Sequence, residues 1–206
     1  MYTCADCTIH GCERQSFDSI PKNCPMRDRS VLDRILDEYR EPAVNHFTIT
    51  AASLEAEGYC QWPRLKETME FCKRMGYDRV GMAFCGGLKN EAKIVADIFR
   101  KHGITLISVM CKVGGYDKSE VGMTDQEKIR PGEFEPMCNP IAQAELLNRQ
   151  ETQFNIVLGL CVGHDSLFLK NAKAPCTVLV AKDRVLGNNP CAAIYTAHSY
   201  CRSRLT

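Results

Sequence analysis

Three apolar runs share one form: Arg79 to Cys85, Ile104 to Cys111, and Phe154 to Leu160 with Cys161 next. Each closes on a cysteine and is followed by a glycine-bearing turn. Their unbroken, branched-residue-rich character predicts strands buried on both faces, and Cys176 to Lys182 adds a last strand. Between the runs the period lengthens to that of helices. Ala92, Val95, Ala96 and Phe99 stripe a helix over 88–102 that Gly103 closes, and Pro140 opens one of about ten residues. Upstream, Ser30 predicts a cap for a helix carrying Val31, Ile35, Leu36 and Tyr39 on one face. A second helix is predicted over 43–57. A third lies between Pro63 and Gly76, with Leu65, Met69, Cys72 and Met75 inward. Ser166 to Ala172 reads as a short helix, and Pro190 to Leu205 as a helical tail.

Strand, helix and strand at this spacing make a right-handed βαβ unit, hence parallel neighbours. The fold class expected is α/β: a three-layer Rossmann-like fold whose mainly parallel sheet has about four strands. It is preceded by a Cys-rich metal-binding segment over 1–28; the α/β domain with its N-terminal helices spans 29–206. In such sheets ligands bind beyond the carboxyl ends of the strands, which is where Cys85, Cys111 and Cys161 are expected to converge. The intervening 112–137 stretch is long, polar and glycine-bearing, and reads as a lid over that crevice.

Composition narrows the chemistry. A net charge of +1 gives no case for nucleic acid or an anionic membrane, and no run is long enough to span a bilayer. The start carries no secretory signal, so a cytoplasmic location is expected. Thirteen cysteines in 206 residues point, in a reducing compartment, to metal binding or catalysis rather than disulfides. Cys72, Cys176, Cys191 and Cys201 read as packing residues.

Four cysteines fall in the first 28 residues as C-x2-C-x4-C-x11-C: Cys4, Cys7, Cys12 and Cys24. Two thiolates two residues apart can grip one metal from a single turn, and a later pair closes a tetrahedral shell. Zinc and a [4Fe–4S] cluster both remain open there; Pro25 after Cys24 leans toward iron, and His10 offers zinc a replacement ligand. Cys138 sits just before a helix N-terminus, where the dipole favours thiolate, and becomes the fourth crevice sulfur. Cys85, Cys111, Cys138 and Cys161 would suit a second [4Fe–4S] cluster; three protein ligands would leave one iron open to a substrate atom. Buried strands also favour cysteine without any chemistry. His164 is a candidate proton donor held by a carboxylate, with Asp165 either that partner or a helix N-cap. Lys112 would steady an anionic cluster or substrate.

G-x-G-x-x-G, Walker, H-E-x-x-H and G-x-S-x-G motifs are all missing, which disfavours nicotinamide and nucleotide chemistry. No strand end carries C-x-x-C, which speaks against simple thiol–disulfide exchange. Two functions follow. One is an iron–sulfur protein acting on a small molecule by redox, elimination or desulfuration, with an electron-transfer partner possible. The other is a non-enzymatic zinc protein whose α/β domain binds a ligand or handles metal.

With Cys4, Cys7, Cys12 and Cys24, then CNPIAQAELLN from Cys138 and GLCVGHDSLF from Gly159, the chain resembles a family of bacterial predicted metal-binding proteins, domain of unknown function 1847. The likeness extends over essentially the whole chain. It implies metal, generally zinc, at the first four cysteines, and implies no reaction.

Overall fold

A computed structural model describes residues 1–206. The chain gathers into two compact units, Met1–Ala56 and Glu57–Thr206.

The first unit holds two short 3-10 turns, Cys4–Asp6 and Pro25–Arg27, then helix α1, Arg29–Glu38, and most of α2, Pro42–Gly58. Its cysteine-bearing arm is braced by side chains. Asn23 Nδ2 donates to Thr3 Oγ1 at 2.9 Å, and the Arg27 guanidinium to the carbonyls of Ile20 and Pro21 at 2.8 and 3.0 Å. Helix α1 begins one residue before the expected Ser30 cap, with Asp28 in the cap position. Its apolar stripe is not a core face: α1 has no buried residue, and Val31, Leu36 and Tyr39 are exposed. Helix α2 runs unbroken through Thr48–Ile49–Thr50, with Pro42 opening it, where its missing N–H has no intrahelical partner to lose.

The second unit is the α/β body. Its elements are α3 (Arg64–Arg74), β1 (Arg79–Phe84), α4 (Lys89–Lys101), β2 (Thr105–Met110), α5 (Pro140–Arg149), β3 (Phe154–Leu158), α6 (His164–Asn171), β4 (Cys176–Val180), α7 (Cys191–Tyr195) and α8 (Arg202–Leu205). The four strands pair in parallel in the order β2-β1-β3-β4. Connections leave β1 toward β2 but leave β3 toward β4, so chain direction across the sheet reverses between β1 and β3. That is the topological switch point, where parallel sheets open a crevice at the strand carboxyl ends.

Side-chain parity then sets the site. Successive strand residues point to opposite faces. Ala83 on β1, Ile107 and Val109 on β2 and Val157 on β3 share one face and pack with Ala144 and Leu147 of α5 and Phe168 of α6. Cys85 and Cys111 continue this face, and the β1–β2 register, which ends at Phe84 opposite Met110, brings them level. Both lie one residue beyond their strands rather than inside them. β3 behaves differently. It stops at Leu158, and Gly159 takes φ +65°, a left-handed conformation that ends the extended alternation. Cys161 therefore lies three residues past its strand and outside the cluster that receives the other sulfurs.

The tail is two short helices rather than one. Cys201 is buried at 2 % exposure and packs as expected, whereas Cys191 is exposed. No helix is long and apolar enough to cross a membrane.

Candidate functional site

The 112–137 excursion is an ordered strap fastened to itself. Asp117 accepts from the backbone N–H groups of Ser119 and Glu135 at 2.9 and 2.8 Å, Lys118 pairs with Glu135, and Lys128 pairs with Asp117 at 3.2 Å. These side chains are only 11–17 % exposed. Hydrogen bonds from Ser119 and Glu135 N–H hold the Asp117 carboxyl well below the usual carboxylate range, Lys118 lowers that of Glu135, and Asp117 raises the Lys128 ammonium. A capping box at Thr124 and Glu127 secures the turn Asp125–Glu127. The base is pinned at three places. Asn139 N–H donates to Cys111 O at 2.7 Å, Met137 N–H to Tyr116 O at 2.8 Å, and Lys112 Nζ to Pro136 O. A chain leaving the sheet at Cys111 thus returns beside its own point of departure, bringing Cys138 to Cys111.

Two further contacts hold that meeting in place. Asn139 caps α5 by accepting from Ala142 N–H at 3.1 Å. Gln143, fully buried one turn on, donates through Nε2 to Val109 O at 2.7 Å and Phe84 O at 3.3 Å, tying α5 to the ends of β1 and β2.

The result is a sulfur cluster at the strand ends. Cys111 is buried; Cys85 and Cys138 are half-buried and pack against the same core residues. Gly86 N–H donates to Cys111 Sγ at 3.3 Å, so the glycine turn after β1 serves to bring backbone to sulfur. The Cys111 thiol is directed at the Cys138 sulfur as a hydrogen-bond donor. That bond draws the Cys138 thiol down from 9.0 to about 5; burial opposes the shift, and the charges of Lys112 and His164 assist it. The same bond, together with burial, pushes Cys111 far up, outweighing the Gly86 N–H. Negative charge therefore rests on Cys138, beside the positive end of α5 and the Lys112 ammonium.

The other expected site residues divide. Cys161 Sγ accepts from Arg184 Nη2 at 2.8 Å. His164 begins α6, and its Nδ1 is buried without a hydrogen-bond partner, so the expected carboxylate holding it is absent. Asp165, adjacent on the helix and so turned away from His164, accepts from Ser166 N–H at 2.7 Å; Gly163 occupies the N-cap position instead. In the first unit, Cys4, Cys7 and Cys24 line a cavity of about 140 Å3 together with Thr3, Thr8 and Asn23, while Cys12 is not among its lining residues. Nowhere are three or more Cys, His, Asp or Glu side chains arranged as a ready shell for one metal ion. The donor chemistry at both places is nonetheless soft sulfur, which suits zinc or iron–sulfur over hard cations.

Gln143, Lys182 and Arg184 were not found by sequence reasoning. Gln143 carries a readable signal, a polar residue on the inward stripe of α5 with Pro140, Ala144 and Leu147. Lys182 and Arg184 carry none.

The family description "Protein of unknown function (DUF1847)" matches residues 24–179. The chain belongs to the DUF1847 family. All four crevice cysteines lie within the matched span, whereas Cys4, Cys7 and Cys12 lie before it, so the match is narrower than the whole-chain likeness expected. The chain is 47 % identical over 170 residues to Uncharacterized protein MJ0455 of Methanocaldococcus jannaschii, covering 82 % of this chain and 86 % of that protein.

Proposed function

We propose that this DUF1847 protein is a metal-binding protein whose working site is the crevice of Cys85, Cys111 and Cys138. In this reading the three thiolates hold an iron–sulfur centre at which a small molecule undergoes redox, elimination or desulfuration chemistry. The observation that carries it is the Cys111–Cys138 pair, two sulfurs brought together at the end of β2 by the Asn139 N–H to Cys111 O hydrogen bond, the Cys111 proton directed at Cys138 and Cys85 level beside Cys111. A soft metal replaces such a proton readily, because thiolate is the ligand form. A bound cluster would supply an iron able to polarise a substrate atom. The chain's own residues do the rest: the Gly86 N–H steadies a sulfur, Lys112 and His164 offset negative charge, and Cys161 is the fourth sulfur available at the rim.

A second reading is supported by the cavity that Cys4, Cys7 and Cys24 line: structural zinc in the first unit, with the α/β body as a ligand-binding or metal-handling module. Anaerobic purification followed by iron, acid-labile sulfide and zinc analysis separates the two. The first reading expects brown protein with equal iron and sulfide, lost in Cys138→Ser and Cys85→Ser and kept in Cys4→Ser. Colourless protein whose only metal is zinc, lost in Cys4→Ser, would overturn it.

A further inference from the structure

The rim of the crevice carries cations that no carboxylate contacts directly. Lys182 follows β4 and crosses Gly159. Its Nζ lies 3.6 Å, and Cys85 Sγ 3.8 Å, from the point where a side chain at Gly87 would begin. Arg184, two residues on, reaches Cys161 Sγ. The charges of Lys112 and His164 bear on Cys138. None of Lys112, Lys182 and Arg184 takes part in any ion pair of the molecule. The neighbouring strap lysines, Lys118 and Lys128, are by contrast paired with carboxylates. Two carboxylates do lie on these segments, but both turn to their own backbone. Asp165 accepts from Ser166 N–H, and Asp183 from the N–H groups of Val185 and Leu186. Of the glycines here, Gly87 is the one that faces Lys182 and Cys85 directly, whereas Met110 fills the space at Gly86 and Leu88 that at Gly159. Lys182 and Arg184 thus stand beside sulfurs with no carboxylate in contact.

We propose that the small molecule admitted at this crevice is an anion with a compact oxyanion group, held by Lys182 and Arg184 beside Cys85 and Cys161. This rests on reading the crevice as the working site. Arg184 supplies a planar fork matched to two oxygens, and Lys182 a movable point charge. Lys112 extends the cationic rim toward Cys138. Oxygen-rich anions such as carboxylates, sulfur oxyanions and phosphates share this chemistry, and neutral molecules do not.

The test uses full-length, metal-free, reduced protein in low-chloride buffer, titrated calorimetrically with sulfate, phosphate and acetate in turn. Saturable one-to-one binding of at least one is expected, and which one identifies the oxyanion type. The double variant Lys182→Gln with Arg184→Gln, checked for an unchanged circular dichroism spectrum, should bind at least about tenfold more weakly. Lys93→Gln, on the far side chain of an α4 ion pair, should bind as the parent does. No saturable binding of any of the three anions, or equal affinity in the double variant, overturns the proposal. Should cations serve only to balance the sulfurs, the double variant loses metal content while no anion binds, which also overturns it. Iron analysis of the parent separates the two ideas: iron without anion binding defeats this inference alone, and anion binding without iron defeats only the cluster.

Discussion

Replacing Cys111 by alanine should move the titration of Cys138 and thereby invert its reactivity across the pH scale. With its partner sulfur donating, Cys138 ionises at about 5; without it, the thiol returns toward its ordinary 9.0, with Lys112 and His164 retaining part of the shift. If the return were complete, the thiolate fraction at pH 7 would fall from about 99 % to about 1 %. A more basic thiolate is also a better nucleophile, and a Brønsted slope of about 0.45 over about four units returns roughly 60-fold. The two effects nearly cancel at pH 7, leaving the rates within about twofold. At pH 6 the parent should alkylate roughly 15-fold faster, whereas above about pH 9.5 the variant should lead by tens of fold. The assay is timed iodoacetamide labelling of metal-free, reduced protein, quenched and read by mass spectrometry on the Cys138 peptide, which separates it from the other cysteines. A parent profile with its midpoint near 9, or a variant profile that keeps the midpoint near 5, would refute the hydrogen-bond argument.

Three other outcomes follow from the same geometry. The strap should loosen in acid: Asp117 and Glu135 titrate below their ordinary values of 3.8 and 4.5, so their contribution is full above those values and is lost as pH falls through the depressed ones. Protection of the Ser119 and Glu135 amides, measured against each amide's intrinsic exchange rate at the same pH, should therefore be high at neutral pH, fall below about pH 4, and already be low at pH 7 in Asp117→Asn. Gly81→Ala places a carbon 2.0 Å from Asn155 Oδ1 and 3.1 Å from Leu147 Cδ1 in the buried sheet. It should cost about 1–3 kcal/mol in urea unfolding, and a loss under about 0.5 kcal/mol would contradict the packing described. Asn139→Ala removes the cap of α5, lowering stability by about 1 kcal/mol and raising the Cys138 labelling midpoint; an unchanged midpoint would show that the cap does not position this sulfur.

The strands and the βαβ order were legible because buried parallel strands need continuous apolar runs and amphipathic helices need stripes, and β1, α4, β2 and β3 supply both. The meeting of Cys85 with Cys111 was legible for the same reason, since each ends a run of matching length and parity. Cys161 looked equivalent in letters, but Gly159 turns the chain left-handed two residues earlier, and no periodicity reports a φ value. The stripe of α1 misled in the other direction: its spacing matches a core face, yet the structure leaves it exposed. The strap's role was hidden because it rests on contacts between residues up to 18 apart, the Lys118–Glu135 ion pair and the Glu135 N–H to Asp117 hydrogen bond among them, which carry no repeating pattern. Lys182 and Arg184 were invisible because a lone lysine and arginine after a strand read as any solvated loop.

Because Cys111 and Asn139 already touch through one backbone hydrogen bond, the polypeptide between them is topologically a side branch. Cutting it at its exposed outer turn would leave two fragments still held together by the β1–β3 pairing and by the Gln143 bonds from α5 to the ends of β1 and β2. Grafting foreign sequence there would lengthen the detour without parting its ends. The sheet edge thus offers a natural port where added modules could be mounted over the sulfur centre while its geometry stays as it is.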